Sequence, residues 1–544
     1  MGRGRMPSVR EQMLAGRIGT AGLFALGIAA VTPLTVVAGA VPLGFGRVEQ
    51  LGTPAGYVLA ALVLGLFAVG VSVMAVHVPN SGAFYSYAAA GLGRPAGVAA
   101  AGVALLAYNA IQIGLYGAFG VAAAALSTTV GGPGSWAGWA LTGWAAVTVL
   151  GQLRVRMNAR LLAALVAAEI TVVVVADAVM LAHPAGQVVR FTALNPWLLA
   201  DQRGVASLVG AITGLVGFEI PLAFAVLARD PRRHPRRAIT LILAVVGVLY
   251  AGTAWAMTVV VGPQHIIATA RAHLTDLFFV LPAPYLPPAA VRVAAVLFVT
   301  SLFAAMLAFH STVARYTLTL AREGVLPGWL ARTRADEVPV TAGAAQSLLA
   351  AAVIAAAIAG GWDPTVDLFF YGTVGGGLGV LILISLTAVA VARFLHHRRL
   401  GGWWRRRLAP GAAAWLLCGL TTVTVLFFDQ LLGTRSPART WAFPAGYLLA
   451  AAAGTIWARW LRRHQPHVYA VIGHGDQHHQ PRPPGRHAHP PSRPGTAAGR
   501  AAAVARHGRD GTGAGSTRSG GPPADSRVRT SDHILRHSGK DDFL

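Results

Sequence analysis

Two glutamates lie within long apolar stretches of this 544-residue sequence. Glu219 lies in AITGLVGFEIPLAFAVLA, residues 211–228, and Glu169 lies in LLAALVAAEITVVVVADAVM, residues 161–180. An ionised carboxylate at the centre of a membrane span costs at least about 2.5–3.5 kcal/mol, so such groups generally mark ion pathways, proton relays or ligand sites. The two glutamates are therefore the first candidates for function.

Glu219 is surrounded by residues that weaken a helix, namely Gly214, Gly217 and Pro221. Backbone groups do not stay unpaired in hydrocarbon, so a broken span normally lines a cavity that protein encloses. Glu219 then either supports the broken segment, or faces a cationic group of a bound substrate, or only ties helices together by a hydrogen bond. The pattern favours a broken helix beside a substrate site.

The composition predicts a membrane protein with many spans. The chain is 55% hydrophobic and only 12% charged, whereas soluble domains carry about 25% charged residues. The net charge of +24 comes from arginines in short loops and in the C-terminal tail, which favours contact with the lipid bilayer and no nucleic-acid partner. The single cysteine excludes an intrachain disulfide, and we expect neither a metal site nor a cofactor.

The apolar stretches divide the chain into about twelve spans of the roughly 20 residues that a bilayer requires. They lie near 20–44, 54–76, 95–127, 134–151, 159–182, 204–228, 238–261, 290–320, 340–360, 366–392, 411–432 and 440–460. The arginines fall in alternate loops, which predicts a cytoplasmic-membrane protein with both termini in the cytoplasm. We expect a cytoplasmic N-terminal segment 1–19, a transmembrane domain 20–462 and a disordered tail 463–544 rich in His, Pro, Arg and Gly.

The first span carries an interruption at a depth comparable with that in the sixth. In GIAAVTPLTVVAGAVP, residues 27–42, Pro33 removes a backbone donor and clashes with the preceding turn. Matching interruptions in spans five apart indicate an inverted repeat with a binding site near the midplane of the membrane.

Several motifs resemble the amino acid–polyamine–organocation (APC) transporters. The resemblance covers about residues 15–473, in order along the twelve spans. It rests on GFE at 217–219 followed by ARDPRRHPRRAI, on PNSGAFYSYAAAGLGRPAG at 79–97, on FHSTVARYTLTLAREGVLPGWLARTR at 309–334, and on RRHQPHVYAVIG after the twelfth span.

This resemblance implies an all-α polytopic fold, with a five-plus-five inverted repeat, broken helices 1 and 6, and two accessory helices. Free amides of helix 1 would hold a substrate carboxylate and carbonyls of helix 6 an ammonium group, as helix dipoles favour. Where many members have a glycine-rich break in helix 1, this chain has AAVTPL. The implied substrate-binding residues are Ala30, Val31, Thr32, Gly214, Gly217 and Phe218, to which we add Glu219 and Tyr108.

Glu169 stands where proton-coupled relatives often carry a lysine in their fifth helix. Our hypothesis is that Glu169 gains and loses the coupling proton; the alternative is a carboxylic acid that only packs helices together. Asp177, eight residues later, is expected to be solvated or paired with an arginine. Tyr108 shares one broad helix face with Asn109, Gln112 and Tyr116, which line the substrate cavity or hydrogen-bond between helices.

The sequence therefore predicts a secondary active transporter that moves amino acids or related amines, coupled to protons, by alternating access. An exchanger, a non-transporting ligand sensor and a channel remain alternatives. The absence of G-x-x-x-x-G-K-[ST] argues against a nucleotide-driven pump, and the absence of H-E-x-x-H and of clustered acids argues against an enzyme. A neutral, apolar amino acid is the favoured small-molecule substrate.

Overall fold

Helices make up the regular structure of the described residues, with a single bridge between Ile18 and Ala228 besides them. The computed structural model describes residues 18–78, 83–153, 159–223, 228–230, 232–334, 338–400, 402–433 and 436–474. The twelve principal helices are α1 Thr20–Gly46, α2 Thr53–His77, α3 Arg94–Thr128, α4 Trp136–Gly151, α5 Ala159–Ala182, α6 202–223, α7 His234–Val261, α8 Pro288–Arg322, α9 Val340–Ala359, α10 Pro364–Arg398, α11 Trp404–Leu426 and α12 Pro437–His464.

Two of these helices are broken, as the sequence predicts. α1 consists of Thr20–Val31 and a second half, 33–46, that contains a π-helical turn. α6 consists of Gln202–Gly214 and a second half that begins at Ile220. Shorter helices connect the long ones, among them Ala83–Leu92, Ile266–His273, Phe428–Leu432 and Pro466–Val471.

The predicted membrane-spanning fold is confirmed. The stretches that are long and apolar enough to cross a membrane differ in part from the twelve predicted spans. Ten helical stretches among the described residues are long and apolar enough to cross a membrane. All twelve predicted spans coincide with α1 to α12, but α4 has only 16 residues, α6 is broken and α12 carries arginines near both ends. The stretch Ile266–Tyr285 is also long and apolar enough, but it is not among the predicted spans. It is built from several short helices.

The helices form a bundle with apolar side chains on its outer surface. α3 packs against α4, α8, α10 and α12, and α7 packs against α1, α2 and α5. Small residues let α3 and α10 approach closely: a β-carbon on Gly372 would lie 2.8 Å from the carbonyl oxygen of Ala110. Leu62, Val248, Leu348 and Trp415 are exposed, as expected for a surface that faces lipid.

The described helices extend past residue 463, where the sequence places the start of the tail. α12 continues to His464 and the helix Pro466–Val471 follows. Arg94 donates to the carbonyl of Ala470 at 2.9 Å, and the Gly473 amide donates to the hydroxyl of Tyr85 at 2.8 Å. Residues 475–544, the rest of the predicted tail, and residues 1–17 lie outside the described residues.

Candidate substrate site

The break in α1 follows from the dipeptide at its centre. The residue before a proline is disfavoured in the α region, and the proline itself donates no hydrogen bond. Thr32 leaves the helix at this point, with φ 49° and ψ 72°, and Pro33 starts the second half at the position where its missing amide costs least. The break thus places a helix C-terminus and a helix N-terminus next to one another.

The break in α6 depends on Gly217, whose φ is +111°. A β-carbon on Gly217 would lie 2.8 Å from the carbonyl carbon of Ala30 and 2.9 Å from the amide nitrogen of Val31. Only glycine combines this backbone conformation with such a close approach. The two broken segments therefore lie directly against one another.

Glu219 supports this turn in the structure. Its Oε2 accepts a hydrogen bond from the amide of Gly217 at 2.9 Å, so the carboxyl group satisfies a backbone donor that the break leaves free. Next to it, Phe218 is fully buried and packs edge-to-face on Phe67 at 6.3 Å between ring centroids.

A cavity lies against the two breaks. It holds about 980 Å³ of empty space, counting the solvent at its opening. Of the residues predicted from the sequence, four line it: Ala30, Val31, Thr32 and Gly214. Gly217, Phe218, Glu219 and Tyr108 are not among its lining residues.

Tyr108 lies on the side of α3 that packs into aromatic neighbours. Its ring centroid is 6.1 Å from that of Phe309 and 6.4 Å from that of Tyr316. Gln112, from the same predicted face, contacts Gln346 on α9 and donates to the hydroxyl of Tyr116 at 3.2 Å. Gln112 therefore joins α3 to α9 by a side-chain hydrogen bond, which was the alternative to lining the cavity, whereas its bond to Tyr116 lies within α3.

Further lining residues come from α10, whose aromatic residues the sequence suggests for the pocket, and from α2, which the sequence analysis did not assign to the site. α2 contributes Tyr57, and α10 contributes Phe369 and Phe370. The aromatic run FFYG at the start of the tenth span was a usable signal for α10, but Tyr57 stands in an evenly apolar span that offers none. None of the described lining residues is Asp, Glu, Lys, Arg or His, so ionic groups of a ligand would have to be held by backbone groups and hydroxyls.

Glu169 lies behind the α1 break and joins three helices. Its Oε2 accepts from the amide of Leu34 at 3.3 Å and from the hydroxyl of Ser301 on α8 at 3.1 Å. The hydroxyl of Thr35 in turn donates to that of Ser301 at 3.0 Å. With only 6% of its surface exposed, Glu169 is a buried carboxyl group at the N-terminus of the second half of α1, where helix dipoles favour negative charge.

Solved structures show the same fold. A manganese transporter variant from Eremococcus coleocola matches with a TM-score of 0.53 at 13% identity, covering 84% of this chain and 96% of that chain. The same transporter in complex with an aromatic bis-isothiourea substituted compound gives a TM-score of 0.53 at 14% identity, with the same coverage. At such identity the likeness concerns the fold alone.

Sequence comparisons define the family. Uncharacterized transporters of Mycobacterium bovis and Mycobacterium tuberculosis are each 36% identical over 203 residues. The match covers 37% of this chain and 40% of each relative, so it spans less than half of their length.

A family model described as amino acid permease matches residues 18–450. The prediction of a transporter, and not an enzyme, is confirmed. This multi-pass membrane protein belongs to the amino acid permease family.

Proposed function

We propose that the chain is a proton-coupled secondary transporter for neutral amino acids, working by alternating access in the cytoplasmic membrane with both termini in the cytoplasm. The observation that carries the proposal is the triple contact of Glu169 with Leu34, Ser301 and, through Ser301, Thr35. A titratable group at a helix break can link proton binding to the position of that helix.

The cavity supports a neutral and largely apolar substrate. Its wall combines aliphatic and aromatic side chains with hydroxyls, several of which already bond to their own helix: Thr213 donates to Val209 at 2.8 Å and Thr373 to Phe369 at 2.6 Å. An amino acid's ammonium group would then turn to the carbonyls at the helix C-termini that end at Val31 and Gly214.

The residues at the start of the second half of α1 limit which groups can bind the carboxylate of the substrate. Pro33 has no amide hydrogen, and the amide of Leu34 already donates to Glu169. The first amide donor at the start of the second half of α1 is therefore absent and the second is occupied, whereas the side chains of Thr32 and Thr35 line the cavity at that helix end. We propose that the hydroxyl of Thr32 takes part in holding the carboxylate, because the one hydroxyl proton of Thr35 is already donated to Ser301.

Protonation of Glu169 would weaken its hold on α1. An ionised carboxylate accepts a strong hydrogen bond from the Leu34 amide and is stabilised by the positive helix end. A neutral carboxyl group accepts a weaker hydrogen bond and gains less from the helix end. The links from α5 to α1 and to α8 would loosen together, because one oxygen serves both. This is the step that would couple a proton to the change of access.

Uptake into proteoliposomes tests the proposal. A radiolabelled mixture of neutral amino acids is presented with and without an inward proton gradient, to the wild type, to Glu169→Gln and to a control, Glu49→Gln, whose partly exposed carboxylate pairs with Arg203 and Arg271. We expect gradient-driven accumulation in the wild type and control, and its loss in Glu169→Gln with counterflow still measurable.

Unchanged accumulation in Glu169→Gln would refute the coupling role. Counterflow in the wild type without any effect of the gradient would indicate an exchanger.

A further inference from the structure

Asp177 lies on α5, eight residues and so about 12 Å along the helix axis beyond Glu169. Its Oδ2 lies 2.7 Å from the hydroxyl of Thr253, a fully buried residue of α7. Its Oδ1 is buried and has no hydrogen-bond partner among the described residues. The structure thus shows neither the arginine partner nor the solvated carboxylate expected from the sequence.

The hydroxyl of Thr253 can serve Asp177 in both protonation states. It also lies 3.0 Å from the carbonyl of Leu249, but a hydroxyl has one proton and can donate to only one of the two oxygens. When Asp177 is ionised, Thr253 donates to it. When Oδ2 of Asp177 carries a proton, Asp177 donates to Thr253, which then donates to Leu249. Such a pair is suited to a group that gains and loses a proton.

A second buried polar atom without a partner lies one turn earlier on α7. Tyr250 is fully buried, and its hydroxyl has no hydrogen-bond partner among the described residues. Its ring packs edge-to-face on Tyr57 at 5.4 Å between centroids, and Tyr57 lines the cavity. Tyr250 lies on α7, which packs against α5, the helix that carries both Glu169 and Asp177. Buried polar atoms left unpaired call for an explanation such as an internal water or a proton path.

We propose that Asp177 and Tyr250 form a proton route along the α5–α7 interface that supplies Glu169. A proton leaves Asp177 and is taken up by the hydroxyl oxygen of Tyr250, directly or through a water. The hydroxyl releases its own proton toward Glu169, so that Tyr250 ends as it began and one proton has moved. This inference rests on the proposed function, because it assigns the supply of the proton that Glu169 uses.

The other ionisable groups near this interface do not offer an equivalent path. Toward the end of α5, His183 stacks on Tyr285 at 3.8 Å between ring centroids. Arg190, on the loop after α5, is exposed, and so is Asp276 on the segment that packs against α5. From α1 and α8 the groups that reach Glu169 are a backbone amide and hydroxyls.

The test uses the full chain in proteoliposomes that contain a pH-sensitive dye. Proton influx is recorded on addition of the radiolabelled neutral amino-acid mixture, and counterflow is measured in parallel. The variants are Asp177→Asn and Tyr250→Phe, with Asp276→Asn and Tyr285→Phe as controls of the same chemistry outside the interface. We expect the two interface variants to slow influx by about a hundredfold or more, the range lost when a positioned proton-transfer group is removed, while counterflow persists and the pH profile of uptake shifts.

Tyr250→Phe keeps the ring that packs on Tyr57, so the test does not depend on the folding of Asp177→Asn alone. Wild-type influx and an unchanged pH profile in both variants, with influx abolished in Glu169→Gln, would overturn the route and leave the proposed function standing. An equal loss of influx and counterflow would assign these residues a structural role and overturn the route as well. Absence of substrate-driven influx in the wild type would instead refute the proposed proton coupling, and the route with it.

Discussion

Gly217 lies against Ala30 so closely that the two broken helices touch through their backbones. A β-carbon at residue 217 would lie 2.8 Å from the carbonyl carbon and 2.9 Å from the carbonyl oxygen of Ala30. The contact joins two residues that are 187 positions apart in sequence. Because the two backbones are in contact, neither segment can move toward the other without displacing it.

Gly217→Ala is expected to destabilise the protein and to abolish transport. A left-handed conformation imposed on a non-glycine residue costs on the order of 1–3 kcal/mol, and here the backbone of Ala30 must also move away. Thermal unfolding in detergent and uptake in proteoliposomes measure the two effects. Gly252→Ala is the matched control, since no heavy atom lies within 4 Å of a β-carbon there. Equal stability and uptake in the two variants would contradict this account of the break.

Glu219 should be replaceable by glutamine but not by methionine. A glutamine retains an oxygen that accepts from the Gly217 amide, whereas methionine leaves this donor unpaired, at a cost of about 1–3 kcal/mol. Uptake and thermal stability should therefore be close to wild type in Glu219→Gln and clearly reduced in Glu219→Met. Loss of uptake in Glu219→Gln with normal stability would show that the charge itself is needed, as for contact with a substrate ammonium group.

The sequence predicts the breaks better than it predicts what surrounds them. Pro33 and Gly217 act on their own backbone, so their effect can be inferred from residue type. The contact of Glu169 with Leu34 joins residues 135 apart, and it depends on how α5 packs against α1. Tyr57 reaches the cavity because of how α2 packs in the bundle, which the sequence does not reveal either. Tyr108, by contrast, has a residue type suited to a binding site, but its position on α3 directs it to Phe309 and Tyr316.

Gly210→Leu is expected to block the cavity without unfolding the protein. Gly210 lies in the first half of α6 and lines the cavity, and a β-carbon there meets no heavy atom within 4 Å. Leucine also favours a helix over glycine by roughly 1 kcal/mol. Uptake should fall, through a raised KM or a complete loss, with unchanged or higher thermal stability. Gly252→Leu, at an equally open position of α7 outside the cavity lining, should transport normally; full uptake by Gly210→Leu would place the substrate elsewhere.

The segment after α12 should be needed for stability as far as His474, and the remainder should be dispensable. Truncation after His464 removes the bonds from Arg94 to the Ala470 carbonyl and from the Gly473 amide to Tyr85, each contributing about 0.5–1.5 kcal/mol. It also removes the buried side chain of Ile472, which contributes roughly 1.5–3 kcal/mol. Truncation after His474 keeps all of these contacts. We expect the shorter chain to unfold at a lower temperature in detergent and the longer one to match the full chain in stability and uptake. Equal melting temperatures for both truncated chains would show that the docked segment adds nothing to the stability of the bundle.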